Sequence, residues 1–281
     1  MKGIRAFYRG TEWIGVQDDV GLRLVPTPGS DIIGMIEQQG WEGLDREATS
    51  VVALADARLL APIARPSKIL CVAVNYRDHI EETGAATPDH PIIFAKVPSA
   101  LTGDGDFITA HEIAQGLDYE AELGVVIGRR TSRVSAHDAL DYVAGYTAAN
   151  DVSARNLQVA DGQFTRAKSL DTFAPLGPAL VSPDEVGDAG TLDITSSVNG
   201  ELRQKSNTSQ LVFGVATLIA FCSEAMTLEP GDLILTGTPG GVGGFSKPPR
   251  YLKAGDVVTV TIERIGTLTN PVVGPEASKS E

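Results

Sequence analysis

Short apolar runs, punctuated by glycine and proline, dominate the pattern of hydrophobic and polar positions along the chain. These runs predict β-strands at residues 69–74, 92–96, 119–127, 142–149, 192–198, 232–236 and 256–263. Residues 4–25 alternate around Asp18 and Gly21 in a pattern typical of a hairpin. Since no regular alternation of strand and helix is visible, we expect an α+β, mostly β protein.

Helical patterns predict three helices, over residues 32–39, 135–142 and 209–224. Asp31 precedes the first of these and is a residue type that often caps a helix N-terminus. Helices therefore form the minor part of the predicted structure.

Two prolines between apolar pieces, Pro62 and Pro66, are typical of a connector. We place a small β-rich N-terminal domain at residues 1–62 and the main domain at 63–273. Residues 274–281 are polar and predict a disordered tail.

Three carboxylates at the predicted strands carry most of the chemical information. Side chains alternate along a strand, so Glu120 and Glu122 share one face while Ala121 takes the other. Neighbouring carboxylates repel each other and need a positive partner. Asp151 follows the strand predicted at 142–149, and we interpret the three carboxylates as one metal site.

The ligand type indicates which metal the site prefers. All three ligands are hard oxygens, which favours Mg²⁺ or Mn²⁺, with Ca²⁺ as an alternative in vitro, over Zn²⁺. Three protein ligands leave about half of an octahedral shell for water or a chelating substrate. Spacing alone is equally compatible with two solvent-facing glutamates on an edge strand and an aspartate in a turn.

Several polar side chains near these carboxylates are candidates for binding an anionic substrate. Arg155 and Gln158 lie three residues apart, so one helical turn puts them on the same side. Lys168 follows closely, and Lys96 ends a predicted strand. The alternative is that each cation is a solvated surface charge.

His79 and Glu82 form a candidate acid–base pair. They lie three residues apart, and a carboxylate beside an imidazole raises its basicity and sets its tautomer. The alternative is an exposed pair at a helix end. Residues 82–91 contain glycine and two prolines and predict a mobile loop that acts as a lid.

The glycine-rich run at 236–244 does not predict a nucleotide site. A phosphate-binding loop opens a helix, whereas Lys247, Pro248 and Pro249 follow here, and the Gly-Lys-Ser/Thr ending is absent. We expect a close backbone approach to a ligand instead, with Thr238 as a hydrogen-bond donor.

Composition narrows the classes of protein further. The 281 residues carry a formal net charge of −13 and no Lys/Arg run, which argues against nucleic-acid binding. The N-terminus lacks the apolar core of a signal peptide, and the longest apolar run is too short for a membrane span. The two cysteines lie in apolar runs and predict buried small hydrophobes. We therefore expect a cytoplasmic protein.

Taken in order, the motifs resemble those of the fumarylacetoacetate hydrolase family from about Lys68 to Val273. The resemblance depends on the following residues: Asn75-Tyr76 with His79 and Glu82, Phe94-x-Lys96, Asp118-Tyr119-Glu120-x-Glu122, Asn150 to Arg155 with Leu157-Gln158, Lys168-Ser169 with Asp171-Thr172, and Thr236-Gly237-Thr238-Pro239 with Gly241-Val242-Gly243. Two positions depart from the family pattern: Asn156 stands where an aspartate is common, and Phe164 stands where a tryptophan is common.

The resemblance implies a fold, a cofactor and residue roles. The fold would be a mixed β-roll or β-sandwich catalytic domain, in a homodimer that uses Mg²⁺ or Mn²⁺. Glu120, Glu122 and Asp151 would bind the metal. The catalytic residues would be His79, Glu82 and Lys168, and the substrate-binding residues would be Lys96, Arg155, Gln158 and Thr238.

The expected reaction is cleavage of a carbon–carbon bond in a 2,4-dioxo acid of the acylpyruvate type, through an enolate. We rank hydrolysis first because the His79–Glu82 pair is intact and hydrolysis needs a base for water. The alternatives are oxaloacetate decarboxylation, or isomerisation or decarboxylation of a 2-hydroxy-dienoate of aromatic catabolism. A non-catalytic binding protein is the remote alternative.

Overall fold

The structure is a computed structural model that describes residues 1–276. Its strands are β1 (Lys2–Tyr8), β2 (Thr11–Asp18), β3 (Gly21–Leu24), β4 (Ser50–Val52), β5 (Arg58–Leu60), β6 (Ile69–Ala73), β7 (Ile92–Lys96), β8 (Leu101–Thr102), β9 (Ile108–Thr109), β10 (Leu117–Asp118), β11 (Ala121–Ile127), β12 (Val143–Asn150), β13 (Ser153–Ala154), β14 (Ala174–Val181), β15 (Asp193–Val198), β16 (Glu201–Asn207), β17 (Leu233–Leu235), β18 (Val257–Ile262) and β19 (Gly266–Val273). The helices are α1 (Ile32–Glu47), α2 (Arg77–Thr83), α3 (Arg155–Asp161), α4 (Thr165–Lys168), α5 (Pro183–Val186) and α6 (Val215–Ala225). Strand dominates, as the sequence predicts.

The main sheet contains the strands that carry the candidate site. Its order is β4-β3-β2-β1-β14-β12-β11-β17-β6-β7, with β5 paired to β1 and β8 paired to β14. Adjacent strands are mostly antiparallel, but β17 and β6 run parallel, so the sheet is mixed. The strands β11 and β12 lie at its centre.

A second sheet, in the order β16-β15-β18-β19-β9, covers one face of the main sheet. The core between them contains Leu123 and Val125 of β11, Ile194 of β15 and Val260 of β18. On the other face, α1 packs against the main sheet, in a core that includes Val126. Both faces of β11 are therefore buried.

The segment that we predict as a small domain, residues 1–62, contributes β1 to β5 and α1. Its strand β1 pairs with β14 in antiparallel register, Lys2 opposite Val181. The segment thus extends the main sheet, and its folding as an independent unit stays a prediction. Of the predicted tail, residues 277–281 lie outside the described part of the chain.

All of the strands predicted after residue 68 are present with small shifts at their ends. Three longer strands in this part of the chain were not predicted, β14, β16 and β19, nor were the two-residue strands β8, β9, β10 and β13. β14 contains Pro175 and Pro178, which argue against a strand because proline cannot donate to the ladder. β16 is polar and lies at the edge of the second sheet, so its pattern carries no apolar alternation.

The predicted helices differ more from the structure. Asp31 caps α1 as expected, accepting hydrogen bonds from the backbone of Ile33 and Gly34, but α1 continues through a kink to Glu47. The helix predicted at 135–142 is wrong: only a 3₁₀ turn forms, at Ala139–Tyr142, because the Ser135 side chain bonds Asp138 and holds residues 135–138 in a turn. The third helix begins at Val215, not at Ser209, because residues 211–213 bond to the 75–76 region.

Candidate metal centre

The three predicted metal ligands converge at one point of the main sheet. Glu120 directly precedes β11, Glu122 lies within it, and Asp151 directly follows β12. Antiparallel pairing sets Ala121 opposite Asn150, and the backbone N–H of Asp151 donates to the carbonyl of Glu120 at 2.8 Å. One carboxylate oxygen from each residue of this acidic trio lies within 4.8 Å of the others. The predicted clustering of the trio is therefore present.

The acidic trio is buried, which rules out the solvent-facing alternative. The exposed fraction is 7% for Glu120, 2% for Glu122 and 0% for Asp151. Leu123 and Val125 pack into the core on the opposite face, as strand alternation predicts. Carboxylates held this far from water need compensating charge.

Two cations compensate Glu120. Lys168 Nζ donates to Glu120 Oε2 at 2.8 Å and to Asp151 Oδ2 at 2.6 Å. Arg155 donates from Nη2 to Glu120 Oε1 at 2.6 Å and from Nε to Asp118 Oδ2 at 2.9 Å. The cations that the sequence grouped with the trio thus contact it directly.

Lys96 lies on the other side of Asp151. Its side chain is fully buried, and Nζ donates to Asp151 Oδ1 at 2.5 Å and to the carbonyl of Val152 at 3.3 Å. Lys96 does not line the cavity beside the trio, whose residues are named below. In this position Lys96 stabilises the Asp151 carboxylate through an ion pair. The predicted contact of Lys96 with substrate stays a prediction.

Charge is distributed unevenly over the trio. Burial opposes ionisation of Glu120, but Lys168 and Arg155 outweigh it and lower the pKa of Glu120 to about 2. Burial, together with Asp151 and Glu120, raises the pKa of Glu122 well above its usual range. Within residues 1–276 no ion pair reaches Glu122, which accepts one hydrogen bond, from the backbone N–H of Gly237 at 2.8 Å. The trio lacks positive charge on the Glu122 side.

Lys168 is a permanent cation in this setting. Burial alone would lower the pKa of Lys168, but the Asp151 and Glu120 carboxylates outweigh burial and raise it. The ammonium group therefore acts as a hydrogen-bond donor and a positive charge, and not as a base near neutral pH.

The residues present fit a hard divalent cation. They offer three carboxylate oxygens within reach of one ion, and Glu122 is a buried acceptor without a cationic partner. A dication at this point would offset the repulsion among the three carboxylates. Metal dependence and the identity of the metal belong to the proposal below.

His79 and Glu82 form a contact pair on the short helix α2. His79 Nδ1 lies 3.0 Å from Glu82 Oε2, and the other carboxylate oxygen of Glu82 accepts from the backbone N–H of Gly241 at 2.9 Å. Since a carboxylate accepts, Nδ1 carries the proton in the neutral imidazole and Nε2 keeps its lone pair. The second nitrogen is thus available as a base.

The glycine-rich run contacts protein carboxylates through its backbone. Gly240 N–H donates to Asp78 at 3.2 Å, and Gly243 N–H donates to Asp118 at 2.7 Å. Gly244 N–H also donates to Asp118, at 2.8 Å. The run therefore contacts Asp78, Glu82 and Asp118 and joins α2 to the segment before the trio, and the predicted backbone approach to a ligand stays a prediction.

Gln204 was not predicted and holds Thr238 in place. Its Oε1 accepts from the backbone N–H of Ala121 at 3.0 Å, and its Nε2 donates to the carbonyl of Pro239 at 2.8 Å. These two partners have fixed roles, so Nε2 also donates to Thr238 Oγ1 at 2.8 Å. The hydroxyl proton of Thr238 is left for the cavity. A lone glutamine in a polar edge strand gives no sequence signal of this role.

A cavity of about 240 Å³ opens beside the trio. The predicted site residues that line it are His79, Glu120, Glu122, Arg155, Gln158, Lys168 and Thr238. Glu82 supports His79 from outside this lining, and Asp151 lies beneath it. Three phenylalanines that carried no predicted role also line the cavity: Phe94, Phe164 and Phe245. The periodicity of hydrophobic residues cannot separate such side chains from core residues.

No helix among residues 1–276 is long and apolar enough to cross a membrane. Each cysteine, Cys71 and Cys222, is buried and unpaired, in agreement with the sequence.

Comparison with known proteins finds relatives that match most of the chain. The chain is 46% identical over 232 residues to the oxaloacetate tautomerase YisK of Bacillus subtilis, covering 81% of this chain and 77% of that protein. It is 48% identical over 225 residues to the mitochondrial oxaloacetate tautomerase fahd2 of Xenopus laevis, covering 79% and 70%.

Solved structures agree with the fold. A fumarylacetoacetate hydrolase from Exiguobacterium antarcticum superposes with a TM-score of 0.88 at 40% identity, covering 98% of this chain and 99% of that one. A 2-hydroxyhepta-2,4-diene-1,7-dioate isomerase from Mycobacterium marinum gives 0.80 at 38% identity, with coverage of 98% and 99%. The family model of the fumarylacetoacetate hydrolase C-terminal domain matches residues 68–273. The chain therefore belongs to the fumarylacetoacetate hydrolase family.

Proposed function

We propose that the protein is a divalent-metal-dependent tautomerase that interconverts the enol and keto forms of oxaloacetate. The observation that carries this proposal is the convergence of the acidic trio, Lys168 and the His79–Glu82 pair on one cavity. The chain's 46–48% identity to proteins named oxaloacetate tautomerases supports the choice of reaction.

Glu120, Glu122 and Asp151 would hold Mg²⁺ or Mn²⁺. The ion, when bound, supplies electrophilic stabilisation of negative charge that develops on the 2-oxygen of the substrate. Lys168 adds a second positive charge beside the trio, since its ammonium group stays protonated. The distribution of charge is suited to an enolate, the shared intermediate of both tautomers.

His79 would move the proton between the substrate and the solvent-facing side of the cavity. Glu82 orients the ring and leaves Nε2 to take or give a proton at C3 of the substrate. Thr238 and the amide group of Gln158 would donate hydrogen bonds to a substrate carboxylate. Arg155 lines the cavity, but Asp118, Glu120 and Gln158 already engage its nitrogens, so it mainly positions Glu120.

Acylpyruvate hydrolysis, the first choice from sequence, receives less support than enol–keto chemistry. Both need the same anion-stabilising cluster. Structural relatives at 38% and 40% identity are named an isomerase and a hydrolase, but the relatives at 46–48% identity are named tautomerases. These names favour the alternatives in which protons move and no carbon–carbon bond is hydrolysed.

The test is the decay of enol absorbance after enol-oxaloacetate is mixed with protein and Mg²⁺ or Mn²⁺. Pyruvate release from oxaloacetate and from acetylpyruvate is followed in parallel, and metal ions alone give the uncatalysed rate. We expect enol decay far above that rate and slower release of pyruvate from either compound. Acetylpyruvate cleavage without accelerated enol decay would contradict the proposal and restore the hydrolase interpretation.

We further propose a cytoplasmic homodimer that binds no nucleic acid. Light scattering after size-exclusion chromatography tests the oligomeric state, because a dimer has twice the 29.5 kDa mass of one chain. A mass of one chain at micromolar concentration would contradict the dimer.

A further inference from the structure

The cavity combines a charged floor with an apolar wall. The floor consists of the acidic trio, Lys168 and Arg155. The wall consists of Phe94, Phe164, Phe245, Val72, Val74 and Ala85. A ligand with a chelating polar end and an apolar distal end would match both surfaces.

Aromatic rings flank the cavity on two sides. Phe94 and Phe164 form an edge-to-face pair with centroids 5.2 Å apart, beside Lys168 Nζ, which lies 5.2 Å from the Phe94 centroid. On the α2 side, Phe245 meets the His79 ring edge-on at 5.7 Å. Edge-to-face and offset contacts are the arrangements that a further aromatic ring favours. The wall is thus suited to a planar aryl group.

No free cation lines the cavity for a second carboxylate, among the residues that the structure describes. Arg155 donates to Asp118, Glu120 and Gln158 through all three of its nitrogens. Lys168 donates to Glu120 and to Asp151. A distal carboxylate beside the phenylalanine rings would therefore lose much of its hydration without an ion-pair partner among the described residues.

We propose that the site also accepts 2-oxo acids that carry one carboxylate and an aromatic group on C3, and ketonises their enols, an inference that rests on the proposed function. Phenylpyruvate is the simplest member of this class. In the reaction the O–H bond at C2 breaks and the electron pair of the C2–C3 double bond forms a new C–H bond at C3. The 2-oxygen becomes a carbonyl, and neither oxidant nor second reactant is consumed.

Binding tests the wall without turnover. Oxamate and N-phenyloxamate, inert compounds with the same chelating end, are titrated calorimetrically into the Mn²⁺-loaded protein. We expect the phenyl group to lower Kd at least about tenfold, since burying an aryl group in an apolar site is favourable by at least that factor. Equal or weaker binding of N-phenyloxamate, or no binding of either compound, would overturn the inference.

A variant assigns the effect to the wall. Phe164→Ala should shrink the preference for N-phenyloxamate over oxamate to about threefold or less, because the edge-to-face surface is lost. Phe221→Ala is the matched control, since Phe221 stacks on His90 and does not line the cavity. An unchanged preference in folded Phe164→Ala would place the phenyl group elsewhere and contradict the inference.

Measuring turnover of both compounds distinguishes a failure of this inference from a failure of the proposed function. The rate of enol decay is compared for phenylpyruvate and oxaloacetate, and kcat/KM for phenylpyruvate should be at least comparable. Turnover of oxaloacetate without phenylpyruvate would defeat the inference and leave the proposed function intact. Turnover of phenylpyruvate alone would support the aryl wall and defeat the assignment of oxaloacetate. Turnover of neither would defeat both.

Discussion

The two glutamates of the acidic trio differ in what faces them. Glu120 accepts from Lys168 and Arg155, while Glu122 accepts from a backbone N–H only. Cationic partners stabilise the buried charge of Glu120. The buried charge of Glu122 has no such partner and destabilises the fold unless a metal ion is bound. The same carboxylate type therefore has two roles, one structural and one that depends on metal.

The substitutions Glu120→Gln and Glu122→Gln should separate these roles. Both should abolish metal binding in equilibrium dialysis with Mn²⁺. In metal-free protein, Glu120→Gln should lower the free energy of unfolding by about 3 kcal/mol or more, because Lys168 and Arg155 lose a buried anion. Glu122→Gln should leave that free energy unchanged or raise it, because the amide still accepts from Gly237. Equal destabilisation of both variants in urea would contradict this account.

Local spacing was sufficient for part of this site. Because side chains alternate along a strand, the sequence placed Glu120 and Glu122 on one face. Asp151, which follows the strand predicted at 142–149, completed the trio. Spacing could not predict that Lys96 is buried beside Asp151, because this contact depends on β7 lying near the end of β12. The three cavity phenylalanines were missed as well, since nothing in a single sequence distinguishes a wall from a core.

Thr238→Val should weaken substrate binding through loss of one hydrogen-bond donor. Gln204 occupies the acceptor side of the hydroxyl, so its proton is directed to the ligand. We expect KM to rise about tenfold, the usual cost of a hydrogen bond to a charged group, with little change in kcat. Thr238→Ser should restore KM.

Thr236→Val is the matched control for this experiment. The Thr236 hydroxyl is buried and has no hydrogen-bond partner in the described structure, and Thr236 does not line the cavity. Its removal should leave KM unchanged and not reduce stability. A KM effect in Thr236→Val equal to that in Thr238→Val would contradict the donor role.

At the scale of elements, α2 and the glycine-rich run form one unit. Asp78 and Glu82 of α2 accept from the backbone of Gly240 and Gly241. Asp118 accepts from the backbone at the other end of the same run. The position of His79 therefore depends on a loop conformation that requires glycine.

Gly241→Ala should disturb this unit. Gly241 has φ +101°, and an added Cβ would lie 2.3 Å from the carbonyl oxygen of Arg203, so the backbone must shift. We expect the free energy of unfolding to fall by about 2 kcal/mol or more, together with lower activity. Chemical denaturation and the enol-decay rate measure the two effects.

The neighbouring Gly240→Ala serves as the control for that change. An added Cβ there meets the backbone of Asp78 at 3.3 Å, a tight contact but one that needs only a small shift, and no left-handed φ is required. Its effect should be clearly smaller. Indistinguishable losses in the two variants would show that the left-handed conformation is not the cause.

Elements were predicted well where an apolar run is short and regular. The predictions failed where tertiary contacts outweighed a local preference. The strand β14 pairs within the main sheet although it contains two prolines. The glycine-rich run is another case: its composition indicated a backbone approach, but only the fold shows that carboxylates of the protein are the partners.

At the scale of the molecule, the sequence predicted the class but not the order of strands. Pairing of β17 with β6, or of β1 with β14, joins residues far apart in the chain and leaves no local signal. The second sheet and α1 bury the two faces of β11, and burial makes the repulsion within the trio strong. Metal binding is thus coupled to the stability of the whole fold.

Removal of metal should therefore lower thermal stability. At a metal concentration of about 100 Kd, binding to the native state adds about 2.7 kcal/mol, which shifts Tm by about 5 °C or more. Differential scanning calorimetry with Mn²⁺ and after chelation measures this shift. Glu122→Gln should show no shift, and a full shift in that variant would place the ion at another site.

The metal site is tested most directly by a crystal structure of the protein with Mn²⁺, with anomalous data collected at the manganese edge. We expect one strong anomalous peak within about 2.0–2.3 Å of an oxygen of each of Glu120, Glu122 and Asp151. Saturating Mn²⁺ with no peak between these three carboxylates would show that the trio does not bind the metal.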